Sequence, residues 1–223
     1  MDKAPKLKDM KKEEIPGYIW DYYKIHIIVG LVVLIFLISF IHGRVTAKES
    51  VLNVATANCY SLELRDSAAL FTEFMEQEGF DEKTQEVTLN TSLSYSKDGT
   101  DAYAMSTLMT VLGSNTVDVL ILDENLFYEL GKYASFMPLD ECFSEDDIAG
   151  FGDNVMECEY EILDSAGEVT GTDTYAAGIR LKGNRWIEES GLYPGYDPIV
   201  CVMYTEKPRY DVAADFVRFL LSY

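Results

Sequence analysis

The chain has 223 residues with 38 Asp/Glu against 18 Lys/Arg, a net charge of −20, and a field of that sign excludes nucleic acid and anionic headgroups as partners of its surface. The imbalance sits in residues 51–223, where 10 Lys/Arg face 32 Asp/Glu; that span suffices for one ordinary core, not two. Both histidines, His26 and His42, precede it, which removes Ser-His-Asp and Cys-His catalysis and histidine-based metal sites from the large domain.

Residues 1–24 form a Lys-rich tail holding Lys3, Lys6, Lys8, Lys11, Lys12 and Lys24. Next comes IHIIVGLVVLIFLISFI, residues 25–41, without an acid, Lys or Arg. As a helix this run spans about 26 Å, close to the ~30 Å of a bilayer's hydrocarbon core. Trp20, Tyr22 and Tyr23 stand where an aromatic belt meets the headgroups. The reading is a transmembrane helix over 25–43 crossing the lipid bilayer, then a linker over 44–50. Only Arg44 and Lys48 flank the far side closely, so the lysine excess keeps the N-terminus cytoplasmic and places 51–223 outside the cell membrane. The alternative is a signal peptide cleaved after Ala47, at Val45-Thr46-Ala47. Against it, the apolar run exceeds the usual ~7–15 residues of such a segment.

Within the large domain, 51–57 (VLNVATA) reads as a strand and 58–61 as a turn. A helix is expected over 62–78, with Leu64, Ala68, Phe71 and Met75 on one buried stripe. Residues 85–95 form a second strand, and Asp98-Gly99 marks a turn. Thr100 is placed to cap a second helix, whose stripe is Ala104, Leu108, Val111 and Leu112. The run VDVLIL, 117–122, suits a strand covered on both faces. A third helix follows over 124–134, with Leu126, Leu130 and Tyr133 inward. Strand–helix alternation to this point means parallel pairing with crossover helices, an α/β layer fold. The pattern then changes to strands at 157–163 and 169–179 joined by a turn at 164–167, a strand at 199–204 and a closing helix over 211–221. The expected architecture is one three-layer, mostly parallel-sheet domain behind a single transmembrane helix.

The stretch 101–141, DAYAMSTLMTVLGSNTVDVLILDENLFYELGKYASFMPLDE, resembles the first lobe of a type 2 periplasmic (extracellular solute-) binding protein. The matching parts are Asp118-Val119 with its apolar strand, the acidic turn Asp123-Glu124, the helix after it, and Pro138-Leu139-Asp140. The final AADFVRFLL, 213–221, is similar to the C-terminal helix of such proteins. The resemblance implies a solute-binding lobe, but residues after Asp140 are too few for a second full lobe to enclose a solute.

In open parallel sheets ligands lie beyond the carboxyl ends of the strands. That edge comprises Asn58 and Tyr60, Ser94 and Tyr95, and Asp123, Glu124 and Asn125; the same residues also suit capping and turns. Trp186, Tyr193 and Tyr196 fall in a Pro/Gly-rich loop, either as packing or as an anchor for a protein partner. Cys59, Cys142, Cys158 and Cys201 allow three pairings, among which Cys142–Cys158 is a possible disulfide by nearness in sequence. Neither a CxxC, a phosphate loop nor calcium-loop spacing is present, so no metal or cofactor is expected. The preferred function is a non-enzymatic, membrane-anchored binding module for a small solute or a membrane-complex subunit. Alternatives are an accessory or structural subunit of a membrane complex and a hydrolase of cell-envelope polymers.

Overall fold

The computed structural model describes residues 15–46, 48–60, 67–96, 102–206 and 208–223. Residues 1–14 of the tail, the helix start with Leu64, the Asp98-Gly99 turn and the Thr100 cap lie outside the described residues. The chain divides into two compact units, Met1–Ala47 and Lys48–Tyr223. The first contains α1 (Ile15–Thr46). Its stretch Tyr23–Phe40 has no buried residue and is long and apolar enough to cross a membrane. The helix begins before the expected boundary at residue 25. Pro16 sits in its first turn, where a missing N–H loses no intrahelical bond.

The second unit runs β1 (Glu49–Ala57), α2 (Ser67–Glu78), β2 (Gln85–Leu93), α3 (Ala102–Gly113), β3 (Val119–Leu122), α4 (Glu124–Gly131), α5 (Leu139–Cys142), α6 (Glu145–Phe151), β4 (Val155–Leu163), β5 (Val169–Arg180), α7 (Arg185–Ser190), β6 (Ile199–Val202) and α8 (Arg209–Ser222). Its six strands form one sheet in the order β2-β1-β3-β6-β5-β4. β1 lies parallel to β2 and β3, with Val54 opposite both Leu89 and Val119. From β3 outward every pairing is antiparallel: Leu120 faces Cys201, Val200 faces Ile179, and Val155 also faces Ile179.

The sheet is therefore mixed, and the expected mostly parallel pairing holds only for its β2-β1-β3 half. The cause is local. Asp164-Ser165-Ala166-Gly167 closes a hairpin, with Asp164 Oδ1 accepting from the N–H groups of Ala166 and Glu168. A hairpin turns its two strands against each other, whereas a crossover helix keeps them parallel.

Alternate strand residues feed two cores. Leu52, Val54, Val119, Ile121, Val200 and Val202 pack with α2, α7 and α8, where Phe74 meets Phe216 edge-on with centroids 5.1 Å apart. Ala55, Ala57, Leu120, Leu122, Ile199 and Cys201 pack with Leu108 of α3 and Leu126, Phe127 and Leu130 of α4. This period-2 division of buried side chains produces the three layers. Tyr133, expected inward, is 71% exposed. α4 ends at Gly131, and Ala134 turns to φ +49°, which breaks the stripe before residue 133.

All four cysteines are free thiols. Cys142 packs against the first core and Cys158 lies in the second. The suggested bridge does not form, because the sheet stands between them.

Candidate functional site

The three strand ends expected at one edge do meet there. Asn58 follows β1 in the left-handed region at φ +56°, where a short polar side chain is tolerated. Its N–H donates to Leu93 O at the end of β2 (3.0 Å). Its side-chain carbonyl accepts from the N–H of Tyr95 (2.7 Å), and its amide donates to Asp123 Oδ2 (2.5 Å). Asp123 in turn caps α4: Oδ1 accepts from the N–H groups of Asn125 (2.9 Å) and Leu126 (3.2 Å). One asparagine thus ties together the loops after β1, β2 and β3.

Two tyrosines from the loop after α7 brace the same edge. The Tyr193 hydroxyl lies 2.9 Å from Ala57 O, at the end of β1, and 2.8 Å from Ile121 O, one residue before the end of β3. Tyr196 OH donates to Asn58 O (3.2 Å), and its ring meets that of Tyr193 nearly edge-on. The backbone of Tyr60 donates to Leu192 O (2.8 Å). Burial holds the Tyr193 phenol well above its ordinary range, reinforced by Cys59, Tyr196 and Asp123. Burial and then Asp123 push Tyr196 up to about 12. Both phenols therefore stay protonated and act as donors at physiological pH.

The polar atoms of Asn58 and Asp123 are largely engaged with each other and with backbone. The groups that reach solvent are Tyr60, 63% exposed, Tyr196, 40% exposed, and the exposed Ser94 and Glu124. Asn125 is likewise exposed at the head of α4. Arg180 joins this edge at the end of β5, with Nη2 3.1 Å from Glu124 Oε2. Sequence reading ended that strand at residue 179 and missed it. The clue was that a strand after a hairpin return runs the same way as β1 and ends at the same edge. A cleft of about 420 Å³, bounded by Leu181, Glu188, Tyr193, Tyr196 and Asp197, opens beside Tyr196.

The aromatic trio separates. Trp186 is on α7 and not in a loop. It is 2% exposed and packs against Phe71. Tyr193 is 3% exposed. Neither presents an anchor to a partner, since the first core claims both rings; Tyr196 alone keeps a surface. Among the described residues no three His, Cys, Asp or Glu side chains converge to hold a metal.

No family model matches the chain, and neither a curated protein nor a solved structure matches it.

Proposed function

We propose that the chain is a non-enzymatic binding module anchored in the cell membrane by α1, with its N-terminus cytoplasmic and its α/β unit outside. The rim over the carboxyl ends of β1, β2 and β3 takes the ligand. The observation that carries this reading is the Asn58 junction: three loops cross-linked into a fixed rim that still leaves Tyr60, Ser94, Asn125 and Tyr196 facing solvent. A pre-ordered rim binds without first ordering its own loops. Tyrosine, serine and asparagine supply adaptable hydrogen bonds on rigid, amphipathic surfaces. The exposed groups are mostly neutral donors and acceptors, which suits a small polar solute. The resemblance of 101–141 to a solute-binding lobe supports the same choice. The second reading, an accessory subunit of a membrane complex, draws support from the openness of the rim, which a protein surface covers as readily as a solute.

Thermal unfolding of the full chain in nonionic detergent, against a panel of sugars, amino acids and dipeptides, tests the reading. A ligand at 100 times its Kd stabilises by about 2.7 kcal/mol, which raises Tm by about 5–11 °C in a domain of this size. At least one solute is expected to do so, and Tyr60→Ala should abolish the shift while leaving the ligand-free Tm unchanged. Silence across the panel, or a shift indifferent to both Tyr60→Ala and Tyr196→Phe, overturns it.

A further inference from the structure

The cleft beside Tyr196 carries charge of one sign. Its lining includes Glu188 of α7 and Asp197 of the loop before β6, with no Lys or Arg. Glu188 is exposed and Asp197 half-buried. The contact from the Gly183 N–H to Asp197 Oδ1, at 3.4 Å, is long for a charged acceptor. From the rim, Asp123 is close enough to act on the Tyr196 phenol. The nearby arginines are engaged elsewhere, Arg180 with Glu124 (3.1 Å) and Arg185 with Glu189 (2.8 Å). Lys182 is exposed and does not line the cleft.

The second component is aromatic. Tyr196 lines the cleft and is 40% exposed. Its hydroxyl bond to Asn58 O and its contact with the Tyr193 ring, centroids 5.5 Å apart, fix its position. The faces of such a ring attract a cation that comes within about 6 Å of the centroid. Gly191 and Gly195 turn at positive φ and leave their part of the wall without side chains. The volume of about 420 Å³ falls in the range of small-molecule sites, about 300–1,000 Å³.

We infer that the solute taken at this rim is a small organic cation, whose ammonium or guanidinium group is held by Glu188, Asp197 and the Tyr196 ring. The inference rests on the rim proposed above and narrows its ligand to one chemical class. An anionic solute would meet two carboxylates in the cleft and a domain with 32 acids against 10 bases, which repel it. A neutral solute would use the ring and leave both carboxylates unmatched. A calcium ion takes about 6–8 oxygen ligands, and among the described residues no three acids converge to supply them.

Isothermal titration calorimetry of the full chain in nonionic detergent tests this with cations set against neutral counterparts of like shape. The pairs are arginine and citrulline, choline and its uncharged carbon isostere, and putrescine and butanediol, with calcium chloride as the inorganic control. At least one cation is expected to bind, and its neutral counterpart to bind at least about ten-fold more weakly. Asp197→Asn and Glu188→Gln should each weaken that cation about ten-fold, the scale of one partly exposed charge-assisted bond, with Tm preserved. Its affinity should also fall as salt rises. If either variant fails to fold, the matched pairs still decide. A sugar or other neutral solute that binds and is lost in Tyr60→Ala, while the cations do not bind, overturns the inference and leaves the rim reading standing. Cation binding indifferent to both carboxylate changes, or binding of calcium chloride alone, overturns it as well. A chain that binds none of these probes, nor any sugar or dipeptide, removes the inference and the rim reading together.

Discussion

Arg209 Nη2 donates to Asp118 Oδ2 at 2.8 Å, joining the residue before β3 to the first residue of α8. Asp118 is fully buried. The same oxygen accepts the N–H of Asn53 in β1 (2.7 Å), and Arg209 also donates to Thr116 O (3.2 Å). The acid of the Asp118-Val119 motif therefore clamps the closing helix to the centre of the sheet, away from the rim at the strands' carboxyl ends. Breaking a buried pair from one side strands an uncompensated charge, at about 3–5 kcal/mol. The Arg209 side chain is 34% exposed, so Arg209→Ala should cost about 2–3 kcal/mol, at and below the lower end of that range. Urea unfolding measures the loss, and a double variant with Asp118→Asn should recover part of it.

Asn58 has two separable roles, conformation and cross-linking. Asn58→Gly keeps the left-handed backbone and removes the side-chain bonds to Tyr95 and Asp123, for an expected loss of about 1–2 kcal/mol. Asn58→Ala removes the same bonds but keeps a Cβ at positive φ without asparagine's tolerance of that region, and should lose about 1 kcal/mol more than the glycine variant. Equal losses in the two variants would show that the φ of +56° is not retained in solution.

Asp147 ties α6 to α8. Its carboxylate is held below the ordinary range, first by the Arg218 guanidinium and then by the hydroxyl and backbone N–H of Ser144. A folded-state value below the unfolded one adds stability that is fully present above the unfolded carboxylate value, about pH 4. That stability disappears as pH falls through the lower folded value. Asp147→Asn should therefore melt below the wild type at neutral pH and converge on it in acid. Melting curves at several pH values check this; a gap that widens in acid would contradict it.

The membrane reading of α1 has its own measurement. Alkaline carbonate extraction of cell membranes should leave a polypeptide of all 223 residues in the pellet, and deletion of residues 15–46 should release it. A soluble product starting at Lys48 would instead mark α1 as a cleaved leader.

Much of this was legible because burial imposes a period. The run 117–122 announced a strand covered on both faces, and β3 is buried throughout. The rim residues were locatable because parallel strands must all end at one edge. Long-range pairing was not legible. Cys142 and Cys158 are close in sequence, yet they pack into the two cores on opposite faces of the sheet. The loop reading around Trp186 failed because α7 is only six residues long, too short for a periodic stripe. Asn184 caps it, accepting from Ile187 N–H while donating to Leu220 O on α8. The engagement of Asn58 with Asp123 was equally hidden, since 65 residues separate them.

The rim is tested most directly by amide hydrogen exchange on the full chain in detergent, with and without a solute found by thermal shift. Slowed exchange confined to residues 58–60, 94–95, 123–126 and 193–197 is the expected result. Protection centred on α3, or a bound solute that slows none of the strand-end loops, would contradict the placement of the site.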